Sequence, residues 1–352
     1  MLEEISIRDF RNYSNCTVPF VPGDNILAGA NGVGKSNILE AVYFASFLRS
    51  FRTVRWKELV RIGSESMELS ISVKKGNWRH KRKVRFEFPE KRLLSGDSGT
   101  ISKASDYVQV LRPVIFAPVD RELVSGSAGV RRNFFDMLIA LSDSEYWHAL
   151  RAHSQALLRR NAALKDGRED SIRAFETVIA ESAVIITKAR EEWVQRLSRE
   201  LEKFSSDMQI SYRSDCREYT SVGSYLAAFD KYRHREMLKK CSCFGPQRDD
   251  FEIIFEEKPA RYFASTGQGR MLALKLKLAQ ASLMRSCSEI PVIALIDDVT
   301  GDLDRKARES FLQELQIFPQ RIYTFTAPPE GNFFANAGII KFSAPGIPVI
   351  SL

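Results

Sequence analysis

The chain has 352 residues, 44% of them hydrophobic and 27% charged, with a formal net charge of +8. That balance suits a soluble globular chain of one large domain or two to three smaller ones, and the positive excess favours an anionic partner such as nucleic acid. It shows no 18-residue apolar run, no cleavable leader pattern, and no metal or disulfide spacing among Cys16, Cys216, Cys241, Cys243 and Cys287, so a cytoplasmic protein without a membrane partner is expected.

In chain order, residues 2–7 alternate loosely and read as an edge strand, followed by Asp9-Phe10-Arg11-Asn12-Tyr13. A second strand is expected over 16–21, closed by Pro22-Gly23-Asp24. Residues 25–28 are a short apolar strand leading into Gly29-Ala30-Asn31-Gly32-Val33-Gly34-Lys35-Ser36, which fits G-x-x-x-x-G-K-[ST] in full. From Asn37 an apolar-periodic helix is expected to about Leu48. Strand, glycine-rich turn and helix are the context this motif needs. The glycines let backbone N–H groups curl around a phosphate, and the helix N-terminus adds partial positive charge. Lys35 would reach the β- and γ-phosphates of ATP, and the Ser36 hydroxyl would hold Mg²⁺. Three strands this early predict a mixed sheet.

After the helix, Arg49, Arg52 and Arg55 accompany Phe51 and Trp56 as a basic surface or as stems covering apolar ground. Residues 68–88 read as a hairpin with Arg79, Lys81, Lys83 and Arg85 on one face, opposite Val84, Phe86 and Phe88. That basic face is either solvated or a contact for a phosphate backbone. Residues 94–105 read as a flexible turn and 108–116 as a strand. From Phe134 to about Lys240 the signal is helical, with 171–204 expected as one helix of about 50 Å. Its apolar positions drift around the surface, predicting a packed helical subdomain, not a coiled coil.

Strand character returns at 251–255 and near Tyr262 and Phe263, with a helix over 270–284. Residues 291–296 form a wholly apolar, buried strand ending in Asp297-Asp298; a helix over 305–316 and a strand over 321–325 follow. Beside a phosphate loop, Asp297 can hold Mg²⁺ and Asp298 can take a proton from the attacking water. Ser265-Thr266-Gly267-Gln268 opens the helix as a second phosphate-binding surface. If the two surfaces lie on opposite edges of the sheet, the economical arrangement is a C₂ homodimer with each nucleotide between subunits. The expected fold is α/β with an inserted helical subdomain. Residues 1–120 form the first half of the ATPase head, 121–240 the insert and 241–352 the second half.

The series FRNY at 10–13, GANGVGKSNILEA at 29–41, VIFAPVDRELVSGSAGVRRNFFD at 114–136, LLRRNAALK at 157–165, FGPQRDD at 244–250, FASTGQGR at 263–270 and IDDVTGDLD at 296–304 resembles the RecF family. These stretches span nearly the whole chain. The resemblance implies a P-loop NTPase of the ABC/SMC/Rad50-like class that dimerises on ATP and hydrolyses it slowly as a switch. It implies binding to DNA at junctions or gaps, and cooperation with RecR and RecO in loading RecA at gapped single-stranded DNA, in replication-linked repair and the SOS response. It assigns Gly29 to Ser36 and Asn37 to the nucleotide, and Ser265, Gly267 and Gln268 to a signature completing the partner's site. Asp304 would reach across the dimer, and Arg11 would lie near the phosphates. Departures from the family pattern are Ser36 for threonine, Val119 for glutamate, Gln247 for histidine, and Gly301-Asp302 for serine-glutamate. A transport-coupling ATPase would lack the basic surface, a structural SMC protein would need hundreds of heptad residues, and a decayed ATPase would lack Lys35, Asp297 or Asp298.

Overall fold

The computed structural model describes residues 1–352 apart from 89–90, 299–302, 330–333, 335, 345 and 352. The chain divides into two compact units, Met1–Pro118 with Ser288–Leu352, and Val119–Cys287. Residues 241–287, expected with the second half of the head, therefore pack with the helical block.

The first unit begins with β1 (Leu2–Phe10), β2 (Tyr13–Pro19), β3 (Gly23–Ala28) and α1 (Lys35–Phe47). Next come β4 (Ser66–Lys75), β5 (Trp78–Glu87), β6 (Lys91–Gly96), β7 (Gly99–Thr100), α2 (Ala104–Tyr107) and β8 (Arg112–Phe116). The phosphate-loop strand does lie in a mixed sheet, but the strand Ile347–Ser351 makes it mixed and not the early strands, because β1 and β2 do not join it. They belong to an antiparallel sheet of order β2-β1-β4-β5-β6-β7, where β1 is interior instead of an edge. Residues 94–105, expected as a flexible turn, supply the end of β6, all of β7 and the start of α2.

The phosphate-loop strand lies in the other sheet, completed by β12 (Val292–Ile296), β13 (Gln320–Phe325), β14 (Gly338–Ala344) and β15 (Ile347–Ser351). Its order is β15-β14-β3-β13-β12-β8, parallel except for β15. β8 and β12 are buried at every position, as parallel strands covered on both faces must be. Helix α1 packs against strands of both sheets and is buried nearly all round, from Ile38 to Phe47. An apolar helix without a polar face needs such a doubly covered place.

The second unit opens with α3 (Glu122–Ser125), α4 (Ala128–Ala140), α5 (Ser144–Asp166), α6 (Glu169–Ala174) and α7 (Glu176–Leu201). It continues with β9 (Met208–Arg213), α8 (Val222–Lys239), β10 (Asp250–Phe255), β11 (Lys258–Pro259), α9 (Ala260–Phe263) and α10 (Thr266–Ser286). The helix expected over 171–204 breaks at Phe175, leaving α7 at 26 residues, about 39 Å long. Helix α7 packs on α5, α8 and α10. Strand β9 was hidden in the helical stretch: Met208, Ile210 and Tyr212 alternate inward and pair with β10. Tyr262 and Phe263, expected as strand, lie on the short helix α9.

The remaining helix of the first unit, α11 (Arg305–Glu314), precedes β13. Among the described residues no helix is long and apolar enough to cross a membrane.

Candidate nucleotide site

Sites in parallel sheets form beyond the carboxyl ends of the strands, and the first unit follows that rule. The loop after β3 begins where Gly29 N–H donates to Phe325 O at 3.1 Å. Gly32 and Gly34 have φ of +83° and +111°. A Cβ at Gly34 would also stand 2.6 Å from Asn12 Nδ2 and 2.8 Å from the Tyr13 hydroxyl, so this position has no room for a side chain. From below, the Tyr13 hydroxyl donates to Gly34 O at 3.0 Å and Asn12 Nδ2 to Val33 O at 3.1 Å. The turn after β1 thus props the loop, a role for FRNY that no local sequence pattern shows.

Lys35 is buried at the start of α1, its Nζ donating to Gly29 O at 2.6 Å and Ala30 O at 2.8 Å. Burial lowers its pKa, opposed by the charges of Asp298 and Asp297. The Ser36 hydroxyl donates to Asp297 Oδ1 at 2.6 Å, joining loop and acidic strand directly. Between them in the sheet, β13 supplies Thr324. Its hydroxyl lies 3.1 Å from Asp297 Oδ1 and accepts the Asp298 N–H at 3.0 Å. Asp297 N–H in turn donates to Phe116 O at 2.8 Å, fixing the strand end against β8. Asp298 has φ of +51° and is exposed to the cavity.

The cavity has a volume of about 280 Å³. Asn31, Gly32, Gly34, Lys35, Ser36 and Asn37 form its loop wall, with Asp298 and Thr324 opposite and Arg52 at its margin. The donor set fits a nucleotide with Mg²⁺. An ammonium and a glycine cradle suit phosphate, and a hydroxyl beside a carboxylate offers the hard oxygens Mg²⁺ takes.

Arg11 was expected at the phosphates. Instead its Nε and Nη2 form a two-point ion pair with Glu40, at 2.9 and 2.7 Å, and its Nη1 donates to Glu58 O. Glu40 is fully buried on α1 and also accepts from Ser50, with Arg52 3.7 Å away. Arg52, read from sequence as a basic surface residue or a stem covering apolar ground, lines the cavity. Its Nη1 donates to Asn37 Oδ1 at 2.9 Å, and Asn37 Nδ2 donates to Asn12 Oδ1 at 2.7 Å.

The other expected residues open two helices. Ser265 caps α10 in the second unit, accepting Gln268 N–H at 3.2 Å while Gln268 Oε1 accepts Ser265 N–H at 2.8 Å. Ser265, Thr266, Gly267 and Gln268 are all exposed. Asp304 caps α11 by accepting Ala307 N–H at 2.9 Å. Its neighbours Gly301 and Asp302 lie outside the described residues.

A family model described as RecF/RecN/SMC N terminal domain matches residues 1–325. The DNA replication and repair protein RecF of Thermosynechococcus vestitus is 31% identical over 369 residues, covering 99% of this chain and 97% of its own. That of Streptococcus thermophilus is 33% identical over 337 residues, covering 90% and 91%. A solved structure of the recombination mediator protein RecF with ATP has a TM-score of 0.90 at 26% identity, covering 100% of this chain and 97% of that one. An Smc head domain from Pyrococcus furiosus has a TM-score of 0.52 at 16% identity, covering 99% and 95%, a likeness of fold alone. A phosphate loop closed onto an acidic strand in an α/β core with helical insertions, matched along almost its whole length, places the chain in the RecF family of ABC/SMC-like ATPases.

Proposed function

We propose that this protein is an ATP-dependent DNA-binding recombination mediator that dimerises on ATP and helps load RecA at gapped single-stranded DNA, together with RecR and RecO. The observation that supports the ATP part is the Ser36–Asp297 hydrogen bond, which sets a hydroxyl beside a carboxylate at the phosphate loop, oxygens of the kind Mg²⁺ takes. Full-length similarity to RecF proteins supports the mediator part.

Bound ATP would supply a γ-phosphate that is both the centre attacked by water, with ADP as the leaving group, and a handle. Lys35 exchanges its two loop carbonyls for phosphate oxygens, and Ser36 and Asp297 hold Mg²⁺ in place of their mutual bond. Asp298, exposed at the cavity wall, accepts the proton of the attacking water. Ser265 keeps its hydroxyl hydrogen free of the capping bond, because there the oxygen accepts; it can donate to the γ-phosphate of a second copy, with Gly267 N–H beside it. Gln268 holds that geometry, and Asp304 at the head of α11 would reach across to the same partner. ADP lacks the handle, so hydrolysis releases the dimer and the DNA.

The test is RecA filament assembly on gapped DNA with RecO and RecR supplied. Wild type with ATP should accelerate assembly, and Lys35→Ala should not. Equal acceleration by both would overturn the reading.

A further inference from the structure

We propose that the tip of the β4–β5 hairpin is a contact for single-stranded DNA, with an unstacked base lying on the Trp78 ring; this rests on the DNA-binding reading above and gives it a place. Trp78 is 76% exposed, the most exposed of the four tryptophans. An indole so placed offers a flat, amphipathic face on which a partner ring can stack.

The presentation is rigid. Ten cross-strand pairs run from Ser66↔Glu87 to Lys75↔Trp78, and only Gly76 and Asn77 make the turn. Gly76 has φ of +58°, as such a two-residue turn demands. Lys75, paired across from the ring, shares its face of the hairpin, and the next pair, Lys74↔Arg79, stands on the opposite face by the alternation of a strand. An exposed aromatic with one cation on its face and two more at the same hairpin tip can stack a base while the cations meet the flanking phosphates.

The rest of the hairpin argues for the tip over the shaft. On the outer face, Lys83 meets Glu68 at 2.8 Å and Arg85 meets Glu87 at 2.8 Å. On the inner side, His80 and Arg82 share Asp97, at 3.2 and 3.5 Å. At the tip, Arg79, 74% exposed, meets the less exposed Glu3 at 2.9 Å, and Lys75, 43% exposed, meets Glu289, 93% exposed, at the longer distance of 3.7 Å. A solvent-exposed pair such as Lys75–Glu289 contributes little and exchanges readily for phosphate oxygens. Lys74 is exposed on the same turn.

The experiment is titration of the full chain with a fluorescent oligothymidylate, followed by anisotropy and by tryptophan fluorescence. Trp78→Ala should weaken binding about ten-fold, Trp78→Phe should restore most of it, and the tryptophan quench should vanish in both. Lys74→Ala with Lys75→Ala should flatten the salt dependence by about 0.7 of a log–log unit per lost contact. A wild-type chain that binds no DNA would sink the DNA reading and this proposal together. If wild type binds and Trp78→Ala binds equally, the tip proposal alone fails. Loss of ATP-dependent self-association by Trp78→Ala, with DNA affinity intact, would assign the ring to a second copy and overturn it as well.

Discussion

That Lys35, Ser36, Asp297 and Asp298 stand at one end of the parallel strands was legible, because each sits in a contiguous pattern at the end of a strand. The pairing of Arg11 was not, because its direction is set by Glu40, a buried carboxylate 29 residues away that takes both ends of the guanidinium. Thr324 had no sequence signal at all; it matters because β13 lies between the two motif-bearing strands. For Lys35→Ala, loss of the charge-assisted contacts to the phosphates should weaken Mg·ATP binding by roughly 100-fold in calorimetry. Asp298→Asn is a different probe. Asparagine tolerates the positive φ at this position and keeps the side-chain shape, but it cannot take a proton. Turnover should fall by about 10²–10⁴ with ATP affinity retained, read by steady-state hydrolysis beside calorimetry. Wild-type turnover in that variant would move the base elsewhere.

Elements were read best where one face or one short run carried the signal, as in α1, β12 and the β4–β5 hairpin. They were misread where long-range pairing decides. Strand β9 exists because β10 pairs with it, and Phe251 of β10 stacks on both Tyr212 and Phe135. The same helical unit is tied by buried polar groups that hydropathy cannot show. Arg190 of α7 bonds Asp136 at 2.8 Å, Asp249 at 2.6 Å and Pro246 O at 2.7 Å. His153 of α5 lies 3.3 Å from the Ser182 hydroxyl and 3.1 Å from Gln247 Oε1, giving the departure at 247 a structural role. Burial pushes the His153 pKa down from 6.5 to about 4. Here the unfolded chain takes the proton first, so stability falls as pH drops from about 6.5 towards 4 and is unaffected above that window. The full loss from this group is about 3 kcal/mol. Thermal unfolding across that range should show the slope, and His153→Gln should flatten it; an unchanged slope would place the acid sensitivity elsewhere.

For the whole molecule, the order of motifs along the chain already indicated a head interrupted by a helical block. The boundary at Cys287 did not follow from sequence, because β9–β10 pairing and the packing of α10 on α7 hold 241–287 with that block. In the proposed clamp a second copy presents its exposed Ser265 to this copy's nucleotide. Sedimentation velocity in saturating Mg·ATP, with wild type beside Ser265→Arg, tests that claim most directly. Arginine would place bulk and charge at the exposed cap while leaving the phosphate loop of the same chain intact. Wild type should sediment as a dimer with ATP and a monomer without it, and Ser265→Arg as a monomer in both. Two species that sediment alike as dimers in ATP would contradict the clamp.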